Sequence, residues 1–247
     1  LIPWAQAEGI YRVAGVPVSG VKIYLESGGL QSYGEDVPHI FTSNETVTDT
    51  DGHYEFAKVF PGSGRARRSI LRVGSEGAKE VASTISLAAE FQSSQTTTLD
   101  FGTQGTAVVG KLLSADASIE RVRWAFADVD IESDVGPGEI PVPDEIKNDP
   151  AQEISWYETW KKTEAGKAWS AAAQAADLAR RTLPRYSATV AADGGFRIDD
   201  MFAGDYLLTV RFWEGPSAGQ IRNYKFSVSP EAVKQRSKVE LGTIQLE

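Results

Sequence analysis

The chain has 247 residues, of which 41% are hydrophobic and 24% are charged, the composition of an ordinary globular protein. Its 25 basic and 34 acidic residues give a net charge of -9, which repels nucleic-acid phosphates and anionic membrane surfaces. It has no Cys, which excludes disulfides, Cys-ligated metal sites and thiol nucleophiles. The negative net charge therefore predicts no nucleic-acid partner. Since no apolar run approaches the roughly 18 residues of a spanning helix, we also predict no membrane insertion.

Short β-branched and aromatic runs, separated by Gly, Pro and Asp-Gly, predict strands in the first part of the chain. These runs are residues 10–13, 21–25, 46–48, 54–56 and 70–73. Val21, Ile23 and Leu25 are spaced two apart, which predicts one buried strand face. Asp51-Gly52, and Asp193-Gly194 in the second part of the chain, each predict a hairpin with a type I′ turn, which needs positive φ at both central residues.

Similar runs continue in the second part, at residues 107–113, 122–131, 187–190, 196–198, 206–212, 224–228 and 239–246. Four carboxylates recur at every second position in and just after one of them: Asp128, Asp130, Glu132 and Asp134. In a strand, this spacing puts all four on one face. Such a row could hold calcium, which binds six to eight oxygens. The favoured alternative is a solvated edge strand whose like charges discourage pairing with other chains.

A helical hairpin is predicted between two strands of the second part, at about residues 144–185. Asp149 and Gln152 have the spacing of a capping box, and Pro150 occupies the first helical position. This helix should end near Lys162. A second, Ala-rich helix should follow over residues 164–182 and stop before Pro184.

The insert is rich in aromatic residues. Trp156 and Trp160 are four residues apart on one helical face, next to Tyr157, and Trp169 belongs to the second helix. We expect these four rings to be packed and to anchor the insert on the sandwich, because a helical hairpin needs buried apolar surface. The alternative is a platform on which sugar rings stack.

The sequence contains an internal repeat. Residues 51–62 recur as residues 193–204, both reading Asp-Gly, then an aromatic, then apolar-Phe-x-Gly, and residues 99–103 match residues 239–243. The repeat predicts two tandem domains, residues 1–103 and 104–247, with almost no linker and therefore a fixed relative orientation. About seven short strands per domain predict two-sheet sandwiches.

The repeats also resemble a known family. Gly9-x-Tyr11, residues 15–25, residues 48–56 and Phe60-Pro61-Gly62 look like the carboxypeptidase regulatory-like domain, and residues 105–112, 193–198 and 204–210 resemble it again. The resemblance implies a mainly β fold of two tandem Ig-like, transthyretin-like (prealbumin-like) β-sandwich domains, the second with the helical-hairpin insertion. It also implies that the domains accompany another module and carry no chemistry of their own. Residues 156–168 are similar to inserts of such repeats in large bacterial cell-envelope proteins.

Two short basic clusters depart from the acidic character of the chain. Residues 65–68, Arg-Ala-Arg-Arg, interrupt the strand that the family pattern would place there, so we interpret them as a solvated loop. Arg180-Arg181 lies at the predicted end of the second helix, where cations complement the helix dipole.

Nothing in the sequence forms a recognisable catalytic set. The two His residues are His39 and His53, and His53 follows a turn as a solvent-facing strand residue. No nucleophile elbow, phosphate loop or dinucleotide fingerprint is present, so we predict a protein that is not an enzyme and needs no cofactor.

The predicted function is a structural or interaction module of a larger bacterial protein in the cell envelope, periplasm or medium. It would present its helical insert and loops to a protein partner or to neighbouring domains of the same polypeptide. A carbohydrate-binding module that uses exposed Trp residues is the first alternative, and a hydrolase is the second.

Overall fold

The computed structural model describes residues 3–28, 42–69, 83–114, 124–147, 149–212 and 221–246, and these are mainly β structure. The strands before residue 104 are β1 (Ala5–Ile10), β2 (Arg12–Val13), β3 (Val16–Pro17), β4 (Lys22–Ser27), β5 (Thr42–Val47), β6 (His53–Val59), β7 (Gly62–Arg68), β8 (Ser83–Phe91) and β9 (Thr96–Thr98). The later strands are β10 (Thr106–Leu113), β11 (Ala127–Ser133), β12 (Arg185–Thr189), β13 (Gly195–Met201), β14 (Gly204–Phe212), β15 (Ile221–Val228) and β16 (Val239–Gln245). The α-helices are α1 (Pro150–Trp160), α2 (Glu164–Thr182) and α3 (Pro230–Gln235). The predicted mainly β fold is confirmed, whereas the strand predicted at residues 70–73 and His39 lie outside the described residues.

Two three-stranded sheets have the same construction, one in each half of the chain. β1 lies between antiparallel β6 and parallel β9, and β10 lies between antiparallel β13 and parallel β16. The antiparallel register shifts between Ala5 and Ala7 in the first sheet and between Thr106 and Val108 in the second. The segments that repeat in the sequence therefore have the same strand order and directions.

A larger, antiparallel sheet has the order β15-β14-β11-β12-β8-β7-β4-β5. Four of its strands come from each half of the chain, and the two sets are joined where β12 pairs with β8. There Tyr186 lies opposite Ile85 and Ser187 opposite Thr84. Residues Leu1–Ser133 and Pro184–Glu247 accordingly form one compact unit. The division into domains at residues 103 and 104 stays a proposal.

One hydrophobic core contains side chains from the large sheet and from both small sheets. Ile23 and Leu25 of β4 are completely buried, as is Ile131 of β11, and the intervening residues of both strands are more exposed. This is the alternation expected when one face of a strand is buried. Each fully buried aliphatic side chain of this kind stabilises the fold by about 1.5–3 kcal/mol.

The Asp-Gly turns differ from the prediction. Gly52 donates its N–H to the Asp49 carbonyl, and Gly194 donates to the Ala191 carbonyl. In each turn only the Gly has positive φ, 74° at Gly52 and 85° at Gly194, so the turns are type I followed by a left-handed Gly and not type I′. The predicted hairpins are also wrong, because β5 pairs with β4 whereas β6 pairs with β1. Each turn carries the chain from the large sheet to a small one.

The solvated loop predicted at residues 65–68 is also wrong, because these residues belong to β7, between β4 and β8. Gly64 and Ala66 are buried, and Arg65 and Arg67 alternate with them on the other face. A Cβ atom at Gly64 would lie 2.6 Å from the Phe91 ring, so this strand needs a residue without a side chain there. The small residues let an arginine-rich segment lie in the interior of a sheet.

Residues Asp134–Leu183 form a second compact unit, which contains α1 and α2. The Asp149 carboxylate caps α1 by accepting the backbone N–H groups of Ala151 and Gln152. The Thr163 hydroxyl caps α2, and this helix ends at Thr182, as predicted. In the part of the chain that the structure describes, no helix combines the length and apolarity needed to cross a membrane.

Candidate functional site

The face of the large sheet that points away from the core carries a polar groove of about 650 Å³. It crosses the β8–β12 junction and therefore draws residues from both halves of the chain. It is lined by Tyr24, Glu45, Arg67, Ser69, Thr84, Ser86, Asp130, Ile131, Glu132, Arg185, Tyr186, Ser187 and Arg211.

The acidic row predicted from the sequence lies on β11. Asp128, Asp130 and Glu132 alternate with three buried residues, so they share the outer face, and Asp134 lies beyond the end of the strand. The prediction of a solvated edge strand is wrong, because β11 lies inside the sheet between β12 and β14. Its position was not readable from the sequence, since the pairing partners come from distant segments.

Each carboxylate of β11 faces a polar or basic residue on a neighbouring strand. The Ser187 hydroxyl is 2.9 Å from the Asp130 carboxylate, Arg185 lies 3.8 Å from Glu132, and Arg211 lies opposite Asp128. Successive carboxylates are about 7 Å apart along the strand, from two residue rises of about 3.3–3.4 Å. Across the described ranges, no group of three or more His, Asp or Glu side chains is placed to hold a metal ion.

The arginines of β7 complete the other side of the groove. The Arg67 guanidinium lies 4.9 Å above the centre of the Tyr24 ring and 3.9 Å from the Glu26 carboxylate. Arg65 donates to the Ser86 carbonyl at 3.3 Å. Burial, and then the neighbouring charge of Arg185, lower the pKa of the Arg65 guanidinium. The interpretation of residues 65–68 as a solvated loop gave these arginines no part in a site, although Arg alternating with Gly and Ala is a period-2 strand signal.

The groove combines donors and acceptors in one row across the sheet. From β11 to β5, the row is Glu132, Arg185, Ser86, Arg67, Tyr24 and Glu45. Its two arginines lie between a glutamate at each end, with Ser86 and Tyr24 between the charged residues. Such a surface can donate hydrogen bonds to an extended polar ligand and accept hydrogen bonds from it.

The four aromatic residues of the insert form a second cluster, within the unit Asp134–Leu183. Trp160 lies at its centre, stacked on Trp156 at 5.4 Å and 14°, with Tyr157 at 6.1 Å and Trp169 at 6.0 Å. The Trp169 indole N–H donates to a backbone carbonyl of the same unit at 3.2 Å. The rings therefore pack on one another, and all four are only half-buried.

His53 is a half-exposed residue at the start of β6. Its two ring nitrogens are each 3.9 Å from a carboxylate, that of Glu8 and that of Asp49. Exposed pairs at this distance contribute little to stability, about 0–1 kcal/mol.

Comparisons with known proteins do not show a family. No family model matches the chain, and no curated protein matches it. Among solved structures, it is similar to a minor pilin of Streptococcus agalactiae, with 14% identity, 98% of this chain and 94% of that chain covered, and a TM-score of 0.28. It is also similar to a double mutant of the shaft pilin SpaA from Lactobacillus rhamnosus GG, with 9% identity, 100% and 98% covered, and a TM-score of 0.28. A pilus backbone protein of Streptococcus pneumoniae gives 14% identity, 96% and 64% covered, and a TM-score of 0.25. Likenesses this weak carry no argument about function.

Proposed function

We propose that this chain is a non-catalytic structural and interaction module of a larger bacterial cell-envelope or secreted protein. The observation that carries the proposal is the continuous eight-stranded sheet, which joins the two halves of the chain through the β8–β12 ladder. Backbone hydrogen bonds between the halves resist bending at their junction, as a scaffold requires. The groove across this junction adds a surface that binds by polar contacts.

The bacterial and envelope part of the proposal depends on the similarity of residues 156–168 to inserts of such repeats in large bacterial cell-envelope proteins. The family resemblance implies that domains of this kind accompany another module and carry no chemistry of their own. The groove carboxylates fit a structural role, because they face arginines and hydroxyl groups on neighbouring strands. We retain the division into two tandem domains in the proposal, with the qualification that they share one sheet.

The proposed partner surface is the insert. The register of β11 and β12 pairs Ile131 with Tyr186, and its continuation puts Ser133 opposite Pro184. The whole unit Asp134–Leu183 is therefore inserted where a short turn would otherwise join two neighbouring strands. No residue of α1 is buried, and Ile154 on α1 and Leu178 on α2 are 66% and 56% exposed. Exposed apolar residues on helices are suited to a protein partner or to a neighbouring domain of the same polypeptide.

The test replaces residues 134–183 by an Asn-Gly turn in the full-length protein. We expect the sheet to fold with a nearly unchanged melting temperature, because the strands on either side already pair. Cross-linking in cell-envelope preparations should then lose the partner that the intact protein captures. An unfolded variant, or the same cross-linked partner with and without the insert, would contradict the proposed role of the insert.

Carbohydrate binding is a second candidate, favoured by the half-exposed rings around Trp160. Sugar rings can stack on aromatic faces, and Trp156 and Tyr157 extend the aromatic surface around Trp160. A glycan array that gives binding to the intact protein, lost in Trp160→Ala, would support this candidate. Trp4→Ala is the matched control, because Trp4 is 49% exposed and belongs to the other unit.

A further inference from the structure

The large sheet ends in β5 on one side and in β15 on the other. In the sequence repeat β5 corresponds to β12 and β15 corresponds to β8, and β12 and β8 already pair with each other. β5 and β12 both precede the Asp-Gly turns, and each lies beside the strand that precedes it in its own half, β4 or β11. β8 and β15 are likewise the antiparallel partners of β7 and β14. The internal junction is thus formed by a β12 edge and a β8 edge.

The outer edge of β5 corresponds to the edge of β12 that meets β8. Within the described residues, β5 pairs only with β4, in six consecutive pairs without a register shift. Just after β5, Thr48 donates its N–H to the Val21 carbonyl and so points its backbone groups toward the β4 side. Because backbone groups alternate in direction along an antiparallel strand, those of Ser43, Glu45 and Val47 point outward, away from β4. Val47 is also 52% exposed, an apolar residue on this edge.

We infer that the β5 edge binds the β15 edge of a second copy of this chain, because these are the strands whose counterparts in the repeat, β12 and β8, pair with each other. The inference goes beyond the proposed function and does not depend on it. The geometry allows the addition, because all seven neighbouring pairs of the sheet are antiparallel. In a sheet of eight such strands the two end strands run in opposite directions, so a second copy continues the alternation.

Charge and face also match. Glu45 lies opposite Tyr24 and Lys225 lies opposite Leu207, which places both on the outer face, and both are exposed. A register that puts Glu45 opposite Lys225 keeps the inward residues of the two strands on the same side. The regular part of β15 available to this register is residues 224–228, because Asn223 has a positive φ of 60°. The internal junction uses a similar length, four residue pairs.

Pairing of two different edges leaves one free edge at each end of the assembly, so it does not close at two copies. Sedimentation velocity of the chain over a concentration series should therefore show a dimer followed by larger species. Glu45→Pro removes an outward N–H, leaves the backbone ladder to β4 and removes only the exposed ion pair of Glu45 with Lys22, so it should weaken association by at least about tenfold. Its melting temperature checks that the fold is kept.

Charge reversal gives a second and independent measurement. Glu45→Lys and Lys225→Glu should each weaken self-association, and an equimolar mixture of the two variants should associate again, because every contact between one variant and the other then brings unlike charges together. Glu55→Lys is the matched control, since Glu55 is exposed on β6 of a small sheet, and it should associate like the original chain. A synthetic peptide of residues 221–228 should compete with assembly.

Three results would overturn the inference. The first is a monomer at every concentration of the original chain. The second is a dimer that does not grow, which indicates a symmetric contact of one edge with itself. The third is a mixture of the two reversed variants that associates no better than either alone.

Discussion

At the residue scale, each half of the core is built on an aromatic ring that packs over a glycine. A Cβ atom at Gly9 would collide with the Leu99 carbonyl oxygen and lie 2.9 Å from the Tyr54 hydroxyl, and one at Gly110 would lie 2.6 Å from the Phe196 ring. Tyr54 and Phe196 occupy the same place in the sequence repeat, three residues after Asp51 and Asp193. Tyr54 also donates to the Leu99 carbonyl, and burial raises the pKa of its hydroxyl.

Gly110→Ala should destabilise the protein by about 1–3 kcal/mol, because the added methyl group overpacks the core beneath Phe196. Urea unfolding measures this change. Gly136→Ala is the control, since its methyl group would meet the flexible end of Arg180 at 3.2 Å and make an ordinary contact with Ala176 at 3.9 Å. Equal stability of the two variants would show that the ring over Gly110 can move aside.

Asp200 is a buried carboxylate that should make stability depend on pH. Burial raises its pKa, although its side chain accepts the Ala14 N–H at 3.3 Å. A raised folded-state pKa means that the protonated form stabilises the fold fully below the ordinary Asp value of about 3.9, and that this contribution is lost as the pH rises through the folded-state value.

Asp200→Asn should therefore raise the melting temperature at pH 7, because the amide keeps the acceptor oxygen and removes the buried charge. The difference from the original chain should disappear at pH values below about 3.9, where both side chains are neutral. Thermal melts across this pH range test the point. A variant that is less stable than the original chain at pH 7, and equally stable at low pH, would instead assign the carboxylate a favourable charge interaction with Arg236.

At the element scale, β11 is an acidic strand inside a sheet, and its neighbours explain how it is tolerated. Like charges on a strand face repel, but Arg185, Ser187 and Arg211 lie on the adjacent strands. Cross-strand pairs of opposite charge contribute about 0.2–1 kcal/mol each. The acidic row is in this way part of the lateral contacts of the sheet.

We expect calcium to leave the stability of the chain unchanged, because the carboxylates of β11 point along a flat strand face and do not converge. The melting temperature should be the same with a chelator and with millimolar calcium. A rise of several degrees on adding calcium, absent in Asp130→Asn, would contradict this and assign the site to Asp128, Asp130 and Glu132.

At the scale of the whole molecule, the unit formed by Leu1–Ser133 and Pro184–Glu247 should unfold as one cooperative structure. Its two halves share the ladder between β8 and β12 and one continuous core. A tandem arrangement connected only by a linker would let either half open alone.

Native-state hydrogen exchange tests this cooperativity. Amides of β4 and β14, one from each half, should exchange with the same opening free energy, and Ile85→Ala at the junction should lower both by about 2–4 kcal/mol. Two different opening free energies, only one of them changed by Ile85→Ala, would indicate independent domains.

The sequence by itself determined the features that depend on neighbouring residues. Period-2 alternation placed Ile23 and Leu25 inward and Asp128, Asp130 and Glu132 outward. Asp149 marked the start of the first helix and Pro184 the end of the second. These features follow from local sterics, capping and side-chain direction, which act over a few residues.

Only the tertiary structure decided which strands pair. The sequence could not show that β11 and β7 lie inside the sheet, that the Asp-Gly turns connect two sheets, or that β12 meets β8. Strand pairing joins backbone groups of distant segments, and those groups are the same in every residue except Pro. The polar groove exists for the same reason, because Arg67, Arg185 and Glu132 become neighbours only when β7, β12 and β11 lie in one sheet.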